Sequence, residues 1–140
     1  MAAETGAWTV LYDGECGVCE WLLSLLLRWD RGERLRPLAL QRPEATRLLA
    51  GLTRQQQLAS WHLISPDGSR RSAGAALAPV LRLLPGGRLP AAVLTGMPAA
   101  AEVGYRWVAD HRAQLSRLVP SQSKQRAAGR VRLRESAPRH

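Results

Sequence analysis

The chain contains two cysteines, Cys16 and Cys19, with two residues between them. They follow a short apolar run, Trp8 to Tyr12, and an Asp13-Gly14 turn, and they open a segment whose apolar residues recur at helical spacing. This pattern puts a CxxC pair at the start of a helix, just after a strand, and the chemistry it favours is dithiol–disulfide exchange. The nucleophile in that reaction is a thiolate, whereas a free cysteine with a pKa of about 8.5 is mostly protonated at neutral pH. The first turn of a helix has unpaired N–H groups and roughly half a positive charge, so a thiolate placed there is stabilised. The spacing brings the second sulfur within bonding reach of the first, and Gly17 keeps a bulky side chain away from an incoming disulfide. On this reading Cys16 attacks, and Cys19, one turn deeper, resolves the mixed disulfide. Asp13 has two readings: a cap for the N–H groups of the following turn, or a partly buried carboxylate that takes the proton from Cys19. With Glu15 and Glu20 it also opposes the helix, because a nearby anion raises a thiol pKa.

The stretch Leu11-Tyr12-Asp13-Gly14-Glu15-Cys16-Gly17-Val18-Cys19 resembles the DCC family of thiol-disulfide oxidoreductases, named for its Asp, Cys and Cys. The likeness continues through Arg28-Trp29-Asp30, Ser65-Pro66-Asp67-Gly68 and Tyr105-Arg106-Trp107-Val108-Ala109-Asp110-His111-Arg112, over about residues 8–118. It implies a thioredoxin-like fold and exchange between an unidentified thiol or disulfide substrate and an unidentified electron donor. It implies no organic cofactor, because the sulfurs carry the electrons. In one respect the sequence departs from thioredoxins. They carry a cis-proline facing the disulfide, and the corresponding stretch here, Leu58-Ala59-Ser60-Trp61, has no proline.

The elements needed to position the pair can be read from residue periods. Residues 8–12 read as a strand buried on both faces, and Val18, Trp21, Leu22, Leu25, Leu26 and Trp29 mark one broad side of the helix that follows, stopped by Gly32. Leu35 to Leu40 reads as a second strand, with Pro37 suggesting an edge position. Pro43 suits the start of a second helix closed by Gly51, and residues 53–58 add a short turn of helix. Ser60 to Ile64 and Ser69 to Arg71 flank the turn signal Pro66-Asp67-Gly68. Ser72 fits the N-cap of a helix reaching Leu84, residues 88–97 read as a broken connection, and a last helix spans Pro98 to about Leu118. The expected fold is α/β and thioredoxin-like, in β-α-β-α-β-β-α order with an extra C-terminal helix.

The chain is 140 residues long and 46% hydrophobic, which suits one packed domain over residues 1–118. Its net charge of +9 is concentrated late. Residues 119–140 carry Lys124, Arg126, Arg130, Arg132, Arg134 and Arg139 against Glu135, with few apolar residues, and read as a basic, disordered tail. The tail lacks the interleaved aromatics that stack bases, which argues against nucleic acid as a partner. No secretory signal and no apolar stretch of about 20 residues is visible, so the expected location is cytoplasmic, without a membrane span.

Two other uses of the dithiol stay open on the residues alone, a soft-metal-binding module and a non-catalytic redox switch. A structural zinc site wants four ligands, and only Cys16, Cys19, His62, His111 and His140, with Asp13 as an oxygen donor, are at hand. No metal is therefore assigned. His62 reads as a packed strand residue and His111 as a late-helix residue. Trp21, Trp29, Trp61 and Trp107 read as core or groove walls, and Arg106 and Arg112 as the solvated side of the last helix.

Overall fold

The computed structural model describes residues 7–136. The apolar run predicted as the first strand is β1 (Trp8–Tyr12), an inner strand of a four-stranded sheet in the order β2-β1-β3-β4. It pairs in parallel with β2 (Leu35–Ala39), from Trp8 opposite Leu35 to Tyr12 opposite Ala39. It pairs antiparallel with β3 (His62–Ile64), which in turn pairs antiparallel with β4 (Arg70–Ser72). Pro37 sits in β2, an edge strand, where a missing N–H is tolerated. The β3–β4 turn closes through Gly68 N–H donating to the Ser65 carbonyl at 2.9 Å, with Gly68 at φ +91°.

Alternation along β1 makes two cores, one on each face of the sheet. Val10 and Tyr12 cluster with Leu23 and Leu27 of α1 (Gly17–Trp29), Val80 of α4 (Leu77–Leu83), and Leu84. Leu11 clusters with Leu38, Leu40, Leu49 and Ile64, and with Ala45 of α2 (Pro43–Leu48). The strand is thus buried on both faces, as its composition predicts. Between α2 and β3, α3 (Arg54–Ala59) starts in a capping box: Thr53 Oγ1 accepts from Gln56 N–H, and Gln56 Oε1 accepts from Thr53 N–H.

The mixed α/β architecture is as expected, and the later helices differ from the expectation in ways the residues explain. Ser72 caps nothing. It ends β4, and its hydroxyl lies 2.5 Å from His62 Nδ1, so the chain passes through a 3-10 turn, Ala73–Ala76, before α4 begins. The segment expected to be a broken connection contains α5 (Arg88–Gly96), because Pro90 falls in its first turn, where no helical N–H is required. The expected helix over residues 98–118 is two helices, α6 (Pro98–Asp110) and α7 (Arg112–Leu118). They break at His111, whose ring stacks on Trp107 and whose Nδ1 lies 2.7 Å from the Trp107 carbonyl, in competition with the backbone.

The largest correction concerns the basic tail. Instead of being disordered, its residues Ser121–Ser136 form α8, which packs on α1 and β2; residues 137–140 lie outside the described part. Ala127, Val131 and Glu135 are buried at four-residue spacing, and Val131 joins the core beside Val10 and Tyr12. The helix docks because its basic residues meet buried acceptors. Arg134 Nη1 lies 3.1 Å from Oδ2 of Asp30, which is 1% exposed, and the same guanidinium donates to the Leu27 and Leu35 carbonyls at 3.3 Å. Glu135 accepts from Tyr12 Oη at 2.7 Å and pairs with Arg42.

Removing one partner of a buried ion pair leaves the other charge unpaired, which typically costs about 3–5 kcal/mol. Arg134→Met should therefore lower the unfolding free energy by roughly 3 kcal/mol in urea titration. Deleting residues 119–140 should lower it further. An unchanged urea midpoint after the deletion would mean that α8 contributes nothing to the fold.

Candidate active site

The end of β1 delivers the chain to the CxxC turn through a small clamp. Asp13 Oδ1 accepts from Glu15 N–H and from Gln41 Nε2, each at 2.9 Å, and Gln41 Oε1 accepts from Gly14 N–H at 3.0 Å. The Asp13 carbonyl accepts from Cys16 N–H at 3.2 Å. A Cβ on Gly14 would stand 3.0 Å from Gln41 Oε1 and 3.4 Å from Ala39 Cβ, so a larger residue there would crowd the clamp. The carboxylate thus holds the loop that leads into α1.

Cys16 is the N-cap of α1, with φ −103° and ψ 106°, and Val18 and Leu23 bury the helix behind it. Cys16 and Cys19 form a disulfide with a Cα–Cα distance of 5.2 Å. Cys16 Sγ accepts the N–H of Cys19 at 3.3 Å, so the first turn of the helix points a donor at this sulfur. Both cysteines are half-buried. A pair closed into a disulfide at the edge of solvent, with a helix N-terminus aimed at one sulfur, can accept two electrons and, once reduced, can present a stabilised thiolate.

Acidic groups surround the motif. Asp13 is partly buried, Glu15 is exposed, and Glu20, the residue after Cys19, is 7% exposed. Burial pushes the Glu20 carboxyl above its usual range; Glu135 and Asp13 add to the rise, and Arg132 opposes it. Tyr12 is also held above the usual phenol range, first by burial and then by its hydrogen bond to Glu135. Three side chains that the sequence does not single out therefore build this region: Gln41, Arg42 and Glu135. The lone acid in a basic segment is the only signal for Glu135, and Gln41 has none, lying 28 residues from Asp13.

The remaining candidates are bonded to other partners. Both ring nitrogens of His62 are engaged, with Ser72 Oγ and with the Gln57 carbonyl at 2.9 Å, and burial lowers its pKa. Trp61 donates its Nε1–H to the Ala73 carbonyl at 3.0 Å, and Trp29 donates to the Pro85 carbonyl at 2.7 Å. Trp107, expected as core or groove wall, is 55% exposed, while Arg106 faces solvent as expected and pairs with Glu102. Among the described residues no group of three or more His, Cys, Asp or Glu is placed to hold a metal ion, and no helix is long and apolar enough to cross a membrane.

A family model described as DCC1-like thiol-disulfide oxidoreductase matches residues 10–118. No curated protein and no solved structure gives a significant match.

Glu20 yields a test of the buried acid beside the motif. Its folded pKa is raised, so the folded state binds a proton more readily than the unfolded chain. That contribution is present below the unfolded value of 4.5 and is lost as pH rises through the folded pKa. Glu20→Gln should therefore raise the melting temperature at pH 7.5 relative to the parent, with the gain shrinking at pH 4. A variant less stable than the parent at pH 7.5 would show that attraction to Arg132 outweighs burial.

Proposed function

Because the chain belongs to the DCC1-like thiol-disulfide oxidoreductase family, we propose that it performs dithiol–disulfide exchange on a thioredoxin-like fold, with Cys16 and Cys19 as the reacting pair. The observation that carries this reading is the disulfide closed at the N-terminus of α1, with Cys16 Sγ accepting a helix N–H. The parallel β1–β2 unit followed by an antiparallel β3–β4 hairpin supports the thioredoxin-like assignment. The exchange unit spans residues 8–118, and α8 is an addition packed against it.

In the reducing direction the Cys16 thiolate attacks one sulfur of a substrate disulfide. A Cys16–substrate bond forms, and the first substrate sulfur leaves as a thiolate and takes a proton. Cys19 then loses its proton and attacks Cys16 Sγ. The Cys16–Cys19 bond forms as the second substrate thiolate is released. The substrate gains two electrons and two protons, and the protein pair is left oxidised. A donor dithiol reverses these steps on the Cys16–Cys19 bond. Asp13 serves the reaction by holding the loop through Glu15 and Gln41. No organic cofactor or metal is required by this balance. A cytoplasmic setting, where thiols are kept reduced, fits the reducing direction.

Equilibration in graded glutathione or dithiothreitol buffers, with free thiols counted by mass after alkylation, tests the assignment. A reversible two-electron transition between about −270 and −120 mV is expected, in the range of working oxidoreductases. Cys16→Ser should abolish turnover, and Cys19→Ser should accumulate a mixed disulfide with the substrate. Full exchange activity in both variants would sink the mechanism. A pair that forms no intramolecular disulfide at any poise would sink the function.

A further inference from the structure

α8 brings a charge to the CxxC turn that the family match, ending at residue 118, does not include. Lys124, the chain's single lysine, is half-buried and lays its stem across Gly17. A Cβ on Gly17 would lie 3.1 Å from Lys124 Cδ and 3.8 Å from Cγ and Cε. The ammonium two bonds beyond Cδ donates to Ser116 Oγ of α7 at 2.7 Å. Among the described residues, no carboxylate lies within ion-pairing distance of it.

We propose that Lys124 is a positioning residue for the Cys16 thiolate, its ammonium held beside the CxxC turn by Ser116 and by the groove that Gly17 leaves open. This rests on the exchange reading above and adds to it a source for the thiolate's stability. The charged groups around the turn are mostly acidic: Asp13 and Glu15 from the loop and Glu20 from α1, with Glu135 behind them. Each disfavours a thiolate. The helix N-terminus opposes them, and so do Arg132 and Arg42, but Arg132 acts on buried Glu20 and Arg42 is paired with Glu135. Lys124 is the cation whose stem contacts the residue directly after Cys16. A neutral hydroxyl holds its head, so no partner anion cancels the charge. A lysine beside a thiol lowers its pKa. The gain applies in both directions of exchange, because Cys16 is the attacking thiolate in one and the leaving thiolate in the other.

The test compares the full-length reduced parent with Lys124→Met, which keeps the length of the stem, and Lys124→Arg, which keeps the charge. Cys16 alkylation by iodoacetamide is followed against pH, with the site located by mass. Lys124→Met should slow alkylation at pH 6.5 by about five-fold and shift the profile upward, with rates converging near pH 10, where the thiol is ionised in each protein. Lys124→Arg should stay within about two-fold of the parent. A Lys124→Met profile that superimposes on the parent overturns the proposal, and so does an arginine variant as slow as the methionine one. If Lys124→Met fails to fold, acetylating the single lysine in the folded parent removes the same charge. The same upward shift is then expected, and an unmoved profile again overturns the proposal. Glutathione equilibration of the same preparations separates the two readings. A parent that exchanges, with thiol profiles indifferent to residue 124, loses the lysine role alone. A parent that never forms the disulfide, but whose Cys16 profile shifts with residue 124, loses the exchange function and keeps the thiolate assignment.

Discussion

Asp30 is a carboxylate with 1% exposure, and the way it is satisfied ties the molecule together. Its Oδ1 accepts from Arg34 N–H at 3.0 Å, and its Oδ2 accepts from Leu35 N–H at 2.8 Å and from Arg134 Nη1 at 3.1 Å. The end of α1, the start of β2 and the last turn of α8 therefore meet at one side chain. A buried charge without partners is costly enough that the fold must supply a cation there. Arg134 is that cation, and placing it sets the position of the whole helix. The same helix brings Glu135 to the Tyr12 hydroxyl and, at the opposite end of α1, lays the Lys124 stem over Gly17.

The CxxC end is a balance between order and charge. The clamp of Asp13 on Glu15 and Gln41 fixes the approach of the chain, and Val18 anchors the first turn in the core. The same acids that give order work against an ionised sulfur. The N–H of Cys19, directed at Cys16 Sγ, works for it. A dithiol site of this kind is defined less by its two sulfurs than by which of these fields prevails around them.

How much of this is legible in the sequence depends on where each residue finds its partner. The strand–turn–helix around Cys16 and Cys19 is readable because its determinants are local: an apolar run, a turn pair and a helical period within about 25 residues. Pro43 and Gly68 are local signals too, and both act as expected. Ser72 misleads because a distant His62 offers its hydroxyl a partner in place of a helix end. The α6–α7 break depends on the His111 ring reaching the Trp107 carbonyl, which no apolar period encodes. α8 is the least legible element. Its buried face is Ala127, Val131 and Glu135, so hydrophobicity alone does not reveal it. Its stability comes from ion pairs and hydrogen bonds to residues about a hundred positions away, as Arg134 to Asp30 and Glu135 to Tyr12 are separated by 104 and 123 residues.

Those separations also set a timetable. A ribosome moving from β1 toward α8 at about 5–20 residues per second makes the CxxC turn on the order of ten seconds before Glu135 and Lys124 exist. During that interval Asp30 has no guanidinium, Tyr12 has no carboxylate, and Gly17 has no lysine stem across it. The nascent chain therefore carries groups that lack their final partners, and docking of α8 is the event that supplies them.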